Sequence, residues 1–273
     1  MTDQLDTAAA LIAAADALLV CAGAGMGVDS GLPDFRGDEG FWQAYPPYER
    51  LGLRFMELAD PVHFEQDPAL AWGFYGHRLG LYRETKPHNG FAVLRDWASS
   101  RDTRVFTSNV DGQFQAAGFD GEHVAEVHGS IHHLQCLLPC RQEVWPADDL
   151  VIEVDPVSMR AVGELPSCPH CGALARPNIL MFGDYGWVPT RSQRILDDVN
   201  AWSRGNRGAR LVVVELGAGT AIPTVRRRAE LASASSGALI RINPREPEVR
   251  HGRGISLPMN AALALSELDS RLA

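Results

Sequence analysis

Four cysteines fall in two hooks, Cys136-x-x-x-Cys140 and Cys168-x-x-Cys171, with 27 residues between them. Thiolates presented two at a time are the donor set that tetrahedral zinc takes. Four of them leave no open coordination position, so the expected ion is single and structural, not catalytic. Soft sulfur donors also favour zinc over harder cations. The fifth cysteine, Cys21, lies inside an apolar run and reads as a small core residue.

A second set of reactive and ligand-holding types follows apolar runs. Ala17-Leu18-Leu19-Val20-Cys21 runs into Gly23-Ala24-Gly25, a turn able to bring backbone N–H groups up to an anion. The full dinucleotide fingerprint is missing, because Val28 stands where its third glycine belongs. For the glycines alone, a tight turn with no ligand is the competing reading. Asp34, Phe35 and Arg36 then set an acid, an aromatic ring and a guanidinium side by side in a loop. Arg104–Thr107 leads into Ser108, Asn109 and Asp111, and a short apolar stretch leads into His128. Leu211–Leu216 leads into Gly217-Ala218-Gly219-Thr220, and Ala238–Ile242 leads into Asn243. Open α/β sheets hold ligands at such strand ends. Taken singly, Asn and Asp there are also ordinary turn residues, and a lone histidine is more often structural.

In order along the chain these residues resemble the sirtuins, the NAD-dependent protein deacylases. The family pattern G-A-G-x-S, S-G-I-P-D-F-R-G compares with Gly23-Ala24-Gly25 and Ser30-Gly31-Leu32-Pro33-Asp34-Phe35-Arg36-Gly37. T-Q-N-I-D compares with Thr107-Ser108-Asn109-Val110-Asp111, followed by Ala117-Gly118, and the family's catalytic His-Gly compares with His128-Gly129. R-P-x-V-V-x-F-G-E compares with Arg176 to Asp184, G-T-S-L-x-V-x-P with the stretch from Gly217 to Pro223, and V-N with Ile242-Asn243.

The resemblance implies NAD as co-substrate and an acyl-lysine protein as substrate. It puts the pyrophosphate against Gly23, Ala24, Gly25 and Arg36, with Asp34 and Phe35 beside the reacting ribose. Ser108, Asn109 and Asp111 would hold the ribose and nicotinamide carboxamide. His128 would be the general base, with Asn109 and Asp111 as its catalytic companions. Gly217, Ala218, Gly219 and Thr220 would make another phosphate or ribose contact, and Asn243 would lie near the adenosine. Phe182, Gly183 and Asp184 would hold the substrate peptide by edge pairing. Tyr75-Gly76-His77-Arg78 resembles the Tyr-x-x-Arg of the branch that removes succinyl and malonyl groups. Three apart on one helix face, Tyr75 and Arg78 could receive a carboxylate. The competing reading is an aromatic core residue beside a solvated arginine. Val28 departs from the small residue of that branch. Gly27, Ala22 and Ser108 replace the family's serine, threonine and glutamine. Two alternatives therefore stand beside deacylation. One is a protein ADP-ribosyltransferase or NAD glycohydrolase; the other is a non-catalytic sensor of NAD metabolites.

These side chains need strands that end together. Buried apolar runs alternate with helical stretches, which predicts an α/β fold with a Rossmann-like doubly wound parallel sheet. The large NAD-binding domain is expected from residues 1–37, 86–133 and 177–273. A small domain is expected from an aromatic helical module at 38–85 and a zinc-binding module at 134–176. With 45% hydrophobic and 22% charged residues the chain has the balance of a globular protein. The net charge of −9 argues against sequence-independent nucleic-acid binding. No apolar run reaches the length of a membrane span, and the first residues lack a positive n-region. The expectation is a cytoplasmic monomer without membrane attachment.

Overall fold

The computed structural model describes residues 2–34, 37–50, 52–206, 209–236 and 238–272. Phe35 and Arg36, both expected at the cofactor, lie outside the described residues. The strands are β1 (Ala17–Ala22), β2 (Asp102–Thr107), β3 (Val124–Glu126), β4 (Gly129–Cys136), β5 (Val144–Pro146), β6 (Glu153–Val154), β7 (Ala161–Val162), β8 (Ala175–Ile179), β9 (Leu211–Leu216), β10 (Leu239–Ile242) and β11 (Ile255–Leu257). The helices are α1 (Thr2–Ala13), α2 (Gly37–Ala44), α3 (Pro46–Arg50), α4 (Phe55–Leu58), α5 (Val62–Gln66), α6 (Pro68–Glu84), α7 (Asn89–Ser100), α8 (Gln113–Ala116), α9 (Thr190–Gly205), α10 (Thr224–Ser233) and α11 (Ala261–Asp269).

Every residue of β1 is buried, as its unbroken apolar run requires. The sheet around it is parallel throughout, in the order β11-β10-β9-β1-β2-β3. Leu18 and Val20 point into a core shared with Ile12 of α1, Leu94 of α7 and Leu265 of α11. Leu19 and Cys21 point the other way, onto Ile195 and Val199 of α9 and Val225 and Ala229 of α10. Helices thus cover both faces, and the expected doubly wound sheet is present. Among the described residues no helix is long and apolar enough to cross a membrane.

A second core gathers the aromatic residues of the helical module expected at 38–85. Phe41, Tyr48, Phe64, Trp72, Phe74 and Tyr75 pack with Ile131 and Met159. Helix α6 is its spine. Pro68 opens the helix, and the Asp67 carboxylate accepts the Leu70 N–H at 3.3 Å. The hairpin of β6 and β7 lies on α6 so closely that a Cβ on Gly73 would stand 2.0 Å from the Met159 carbonyl oxygen.

The small sheet has the order β5-β4-β8, antiparallel, and β8 is an edge strand. The boundaries expected at 133/134 and 176/177 fall inside β4 and β8, which pair with each other. Sequence reading missed this pairing because the two strands lie about forty residues apart around the cysteine hooks, and neither alternates cleanly.

Two glycines on α6 test the packing. Gly80 has nothing within 4 Å of its would-be Cβ, so Gly80→Ala should stabilise the protein by about 0.5–1 kcal/mol. Gly73→Ala drives a methyl group into backbone and should destabilise it by about 3 kcal/mol or more. Urea denaturation of both variants measures the contrast.

Candidate active site

In sheet order, β10, β9, β1, β2 and β3 deliver at their C-terminal ends Asn243, the 217–220 turn, the 23–25 turn, residues 108–111 and His128. The turns after β1 and β9 touch backbone to backbone. A Cβ on Gly25 would lie 2.7 Å from Gly217 Cα, and one on Gly217 would lie 2.3 Å from the Gly25 carbonyl carbon. Gly217 also has φ +61°, in the left-handed region. Only glycine fits this contact. Through it the Gly23 N–H donates to Leu216 O at 2.9 Å, and the Gly25 N–H to Gly217 O at 3.0 Å. This corrects the expectation that these two amides face an anion. Ala24 is exposed and opens a short 3-10 turn, so its amide has no partner within that turn.

Asn109 locks the next strand end to the first. Its Nδ2 donates to Gly23 O at 3.1 Å, and its own N–H donates to Thr107 Oγ1 at 3.0 Å. The Thr107 hydroxyl in turn donates to Ala22 O at 2.9 Å, and the Ser108 N–H to the same oxygen at 3.2 Å. Asp111 accepts the Gln113 N–H at 2.9 Å. Burial pushes its carboxyl up to about 6, against the pull of the Gln113 amide and the Arg78 charge. His132, in the middle of β4, lies with Nε2 2.9 Å from Asp111 O. Gly112, at φ +71°, passes over the ring so closely that a Cβ would stand 2.7 Å from it.

His128 sits in the turn from β3 to β4, partly buried. Desolvation lowers its pKa, so the imidazole is neutral near neutral pH and able to take a proton. Its carbonyl accepts the Leu180 N–H at 2.9 Å. Gly129 follows at φ +82°, where a Cβ would stand 1.9 Å from Asn178 O. Glycine after His128 is therefore a steric requirement of starting β4 against β8.

Other expected contacts turn out differently. Asn243 is fully buried; its Nδ2 donates to Ala218 O at 2.9 Å, and its Oδ1 accepts the Arg245 and Glu246 amides. Its carboxamide holds the 217–220 turn, with Oδ1 taken twice and one Nδ2 hydrogen taken by Ala218 O. Thr220 is exposed and donates to the Glu246 carboxylate. Asp184 faces inward, not toward a peptide. It takes Arg176 at 2.8 Å on both oxygens, plus the Met181 and Gly186 amides. Both side chains of that ion pair are fully buried. The Phe182 ring meets Phe55 edge-on at 6.2 Å, and its N–H donates to Ala59 O. Gly183 is exposed at φ +65°. The amides of residues 180 to 182 are thus engaged within the chain.

Tyr75 and Arg78 share a face of α6 as expected, but both are enclosed, at 1% and 5% exposure. Tyr75 stacks on Phe64 at 5.7 Å, and burial pushes its phenol up to about 12. The Arg78 guanidinium lies 5.1 Å from the Phe74 ring centre and donates to Tyr82 Oη at 2.8 and 3.1 Å.

The four cysteine sulfurs lie within 4.8 Å of one another, with Cys136–Cys171 and Cys140–Cys168 each at 3.7 Å. A tetrahedron of sulfurs bonded to zinc has edges of about 3.8 Å, so the set fits that ion. The separations are too long for disulfides.

Comparison with known proteins agrees with this geometry. A family model described as the Sir2 family matches residues 23–202. A Pyrococcus furiosus protein named NAD-dependent protein deacylase is 33% identical over 175 residues, 64% of each chain. A Mycobacterium tuberculosis protein of the same name is 29% identical over 257 residues, 93% of this chain and 96% of the relative. The chain thus spans less than two thirds of the length of the Pyrococcus relative and nearly all of the mycobacterial one. Among solved structures, a Sir2 homologue mutant in complex with ADP-ribose superposes with a TM-score of 0.74 at 26% identity. That match covers 97% of this chain and 94% of the other.

Asp111 makes a pH-dependent prediction. Its carboxyl ionises less readily folded than unfolded, so ionisation penalises the fold above pH 6 and ceases to matter below about pH 4. Asp111→Asn should therefore stabilise the protein by about 1–3 kcal/mol at pH 7.5, with a clearly smaller gain at pH 5, in denaturant titrations. For the cysteine site, a zinc chelator should lower the calorimetric melting temperature by roughly 5 °C or more, and added zinc should restore it.

Proposed function

We propose that this chain, which belongs to the Sir2 family, is an NAD-dependent protein lysine deacylase that yields nicotinamide and O-acyl-ADP-ribose. One observation carries the reading: five adjacent parallel strand ends form a continuous row that finishes at a neutral histidine beside an edge strand. The relatives named NAD-dependent protein deacylase and the ADP-ribose complex support it.

NAD supplies an electrophilic ribose carbon once nicotinamide departs. In this reading the Ala24 amide faces the pyrophosphate and Asp34 the ribose; Arg36 and Phe35, assigned to the same two groups by the sequence pattern, lie outside the described residues. Ser108, Asn109 and Asp111 hold the ribose and carboxamide, held in turn by Gly23 and His132. The 217–220 turn takes the adenosine end, with Asn243 supporting it from below. His128 accepts a proton from a ribose hydroxyl, which its lowered pKa permits at neutral pH. An acyl-lysine segment lies along the open side of β8 and the 180–183 stretch. Residues 1–37, 86–133 and 177–273 would act as the large domain, with β4 and β8 forming the seam to the small one.

Arg78 bears on the acyl group. Its charge opposes the upward shift of the Asp111 carboxyl, which couples it electrostatically to the proposed nicotinamide end of the site. A cation there favours acyl chains that end in a carboxylate, while its enclosure by aromatic rings favours neutral ones.

The test is a mass-spectrometric panel of one peptide carrying acetyl-, butyryl-, succinyl- or malonyl-lysine, with NAD. The wild type should deacylate at least one of them. His128→Ala should lose about two to four orders of magnitude in rate while still binding NAD. Succinyl removal that Arg78→Met abolishes, at an unchanged melting temperature, assigns the carboxylate clamp. A neutral preference indifferent to Arg78→Met makes that residue structural. Nicotinamide release without deacylation would overturn the reading in favour of ADP-ribosyl transfer or NAD hydrolysis.

A further inference from the structure

A cavity of about 200 Å³ opens between the first turns of α10 and the loop after β10. Thr220, Arg226, Arg227, Arg241, Glu248 and Arg250 are among its walls. Four guanidiniums on one small cavity require an account of their counter-charges.

Arg241 has its full complement. Its register partner on β9 is Glu215, fully buried, which accepts Nε and Nη2 at 2.7 Å each. Glu230 accepts a further bond at 3.1 Å, and the Glu248 carbonyl accepts Nη1. Arg226 is less well served. It donates to the Glu246 carbonyl, and its contact with the Glu215 carboxylate is 3.8 Å. Burial and the neighbouring Arg241 lower its pKa, the sign of a cation short of compensation. Arg227 and Arg250 are exposed, and among the described residues neither side chain has an ion pair or hydrogen bond.

We propose that this cavity binds a phosphate-class anion, either inorganic phosphate or the phosphoryl group of a small phosphate monoester. A tetrahedral dianion can take two or three guanidinium forks at once, whereas a lone carboxylate is satisfied by one. The cavity also abuts the first turn of α10, whose amides carry partial positive charge. Glu248, on the wall, separates the two sources. It would accept several hydroxyls from the sugar of a monoester, whereas inorganic phosphate, chiefly the hydrogen phosphate dianion near neutral pH, presents it with a single P–OH beside three repelling oxygens. The site does not depend on the deacylase reading, because it is tested without NAD or peptide.

Isothermal titration of the full chain at constant ionic strength, with inorganic phosphate and separately with ribose 5-phosphate, is the experiment. Saturable binding of at least one probe below about 10 mM is expected. Arg227→Met and Arg250→Met should each weaken it about fivefold or more, and the double variant about twentyfold or more. Arg204→Met, on exposed α9 surface, should change nothing. Tighter binding of the sugar phosphate, lost in Glu248→Gln, identifies a monoester site. Tighter binding of inorganic phosphate, indifferent to Glu248→Gln, identifies a free-phosphate site. Both arginines are exposed, so the variants should keep the wild-type melting temperature. No saturable binding of either probe, or binding undiminished in the folded double variant, overturns the proposal.

Discussion

Backbone meets backbone where the turn after β1 crosses the turn after β9, and the rest of the site is hung from that contact. The two strands run parallel in register, with Ala22 beside Leu216, so their turns leave the sheet at the same level. Side chains there would force the turns apart by more than an ångström, as the 2.3 and 2.7 Å Cβ approaches show. Glycine costs conformational entropy in the unfolded chain, and here that cost secures a close approach no other residue permits. Two carboxamides then fasten the neighbours: Asn109 holds the β2 end to Gly23, and Asn243 holds the β10 side to Ala218. Four strand ends become one rigid edge.

The far end of that edge is fixed by a different device. The turn carrying His128 is tied to the β8 side by the Leu180 amide and by the tight start of β4 at Gly129. The same β8 side is braced by the Arg176–Asp184 pair, buried on both members and hydrogen-bonded on both carboxylate oxygens. A buried ion pair adds little net stability, but losing one partner leaves an uncompensated charge, so the loop geometry is narrowly specified. His128 and the open edge of β8 are therefore parts of one braced unit. Asp111 is the contrasting case: a carboxyl with few partners, raised toward neutrality by desolvation at the place where a ligand is proposed.

Much of this was legible from local pattern. The apolar run of β1, the alternation of strands and helices, and the positions of the strand-end residues follow from side-chain burial repeated over short windows, which sequence records directly. The two cysteine hooks were legible because metal ligation needs particular atoms at short spacing, and the sulfurs do converge. His132 carried no such signal, since a histidine in the middle of a strand looks the same whether its ring meets water or the Asp111 carbonyl.

What tertiary structure alone decided is the assignment of partners across long separations. Gly23 and Gly25 read as anion-binding amides until Leu216 and Gly217, some 190 residues on, are seen to take those hydrogens. Asp184 reads as a ligand contact until its two oxygens are counted against the chain itself. The pairing of β4 with β8, and the arginine-walled cavity beside α10, likewise join segments that no local window contains. Sequence fixes which groups are present and which face of an element they occupy. A hydrogen-bonding group's capacity for a ligand is what remains after its neighbours in the fold have taken their share, and only the folded chain determines that remainder.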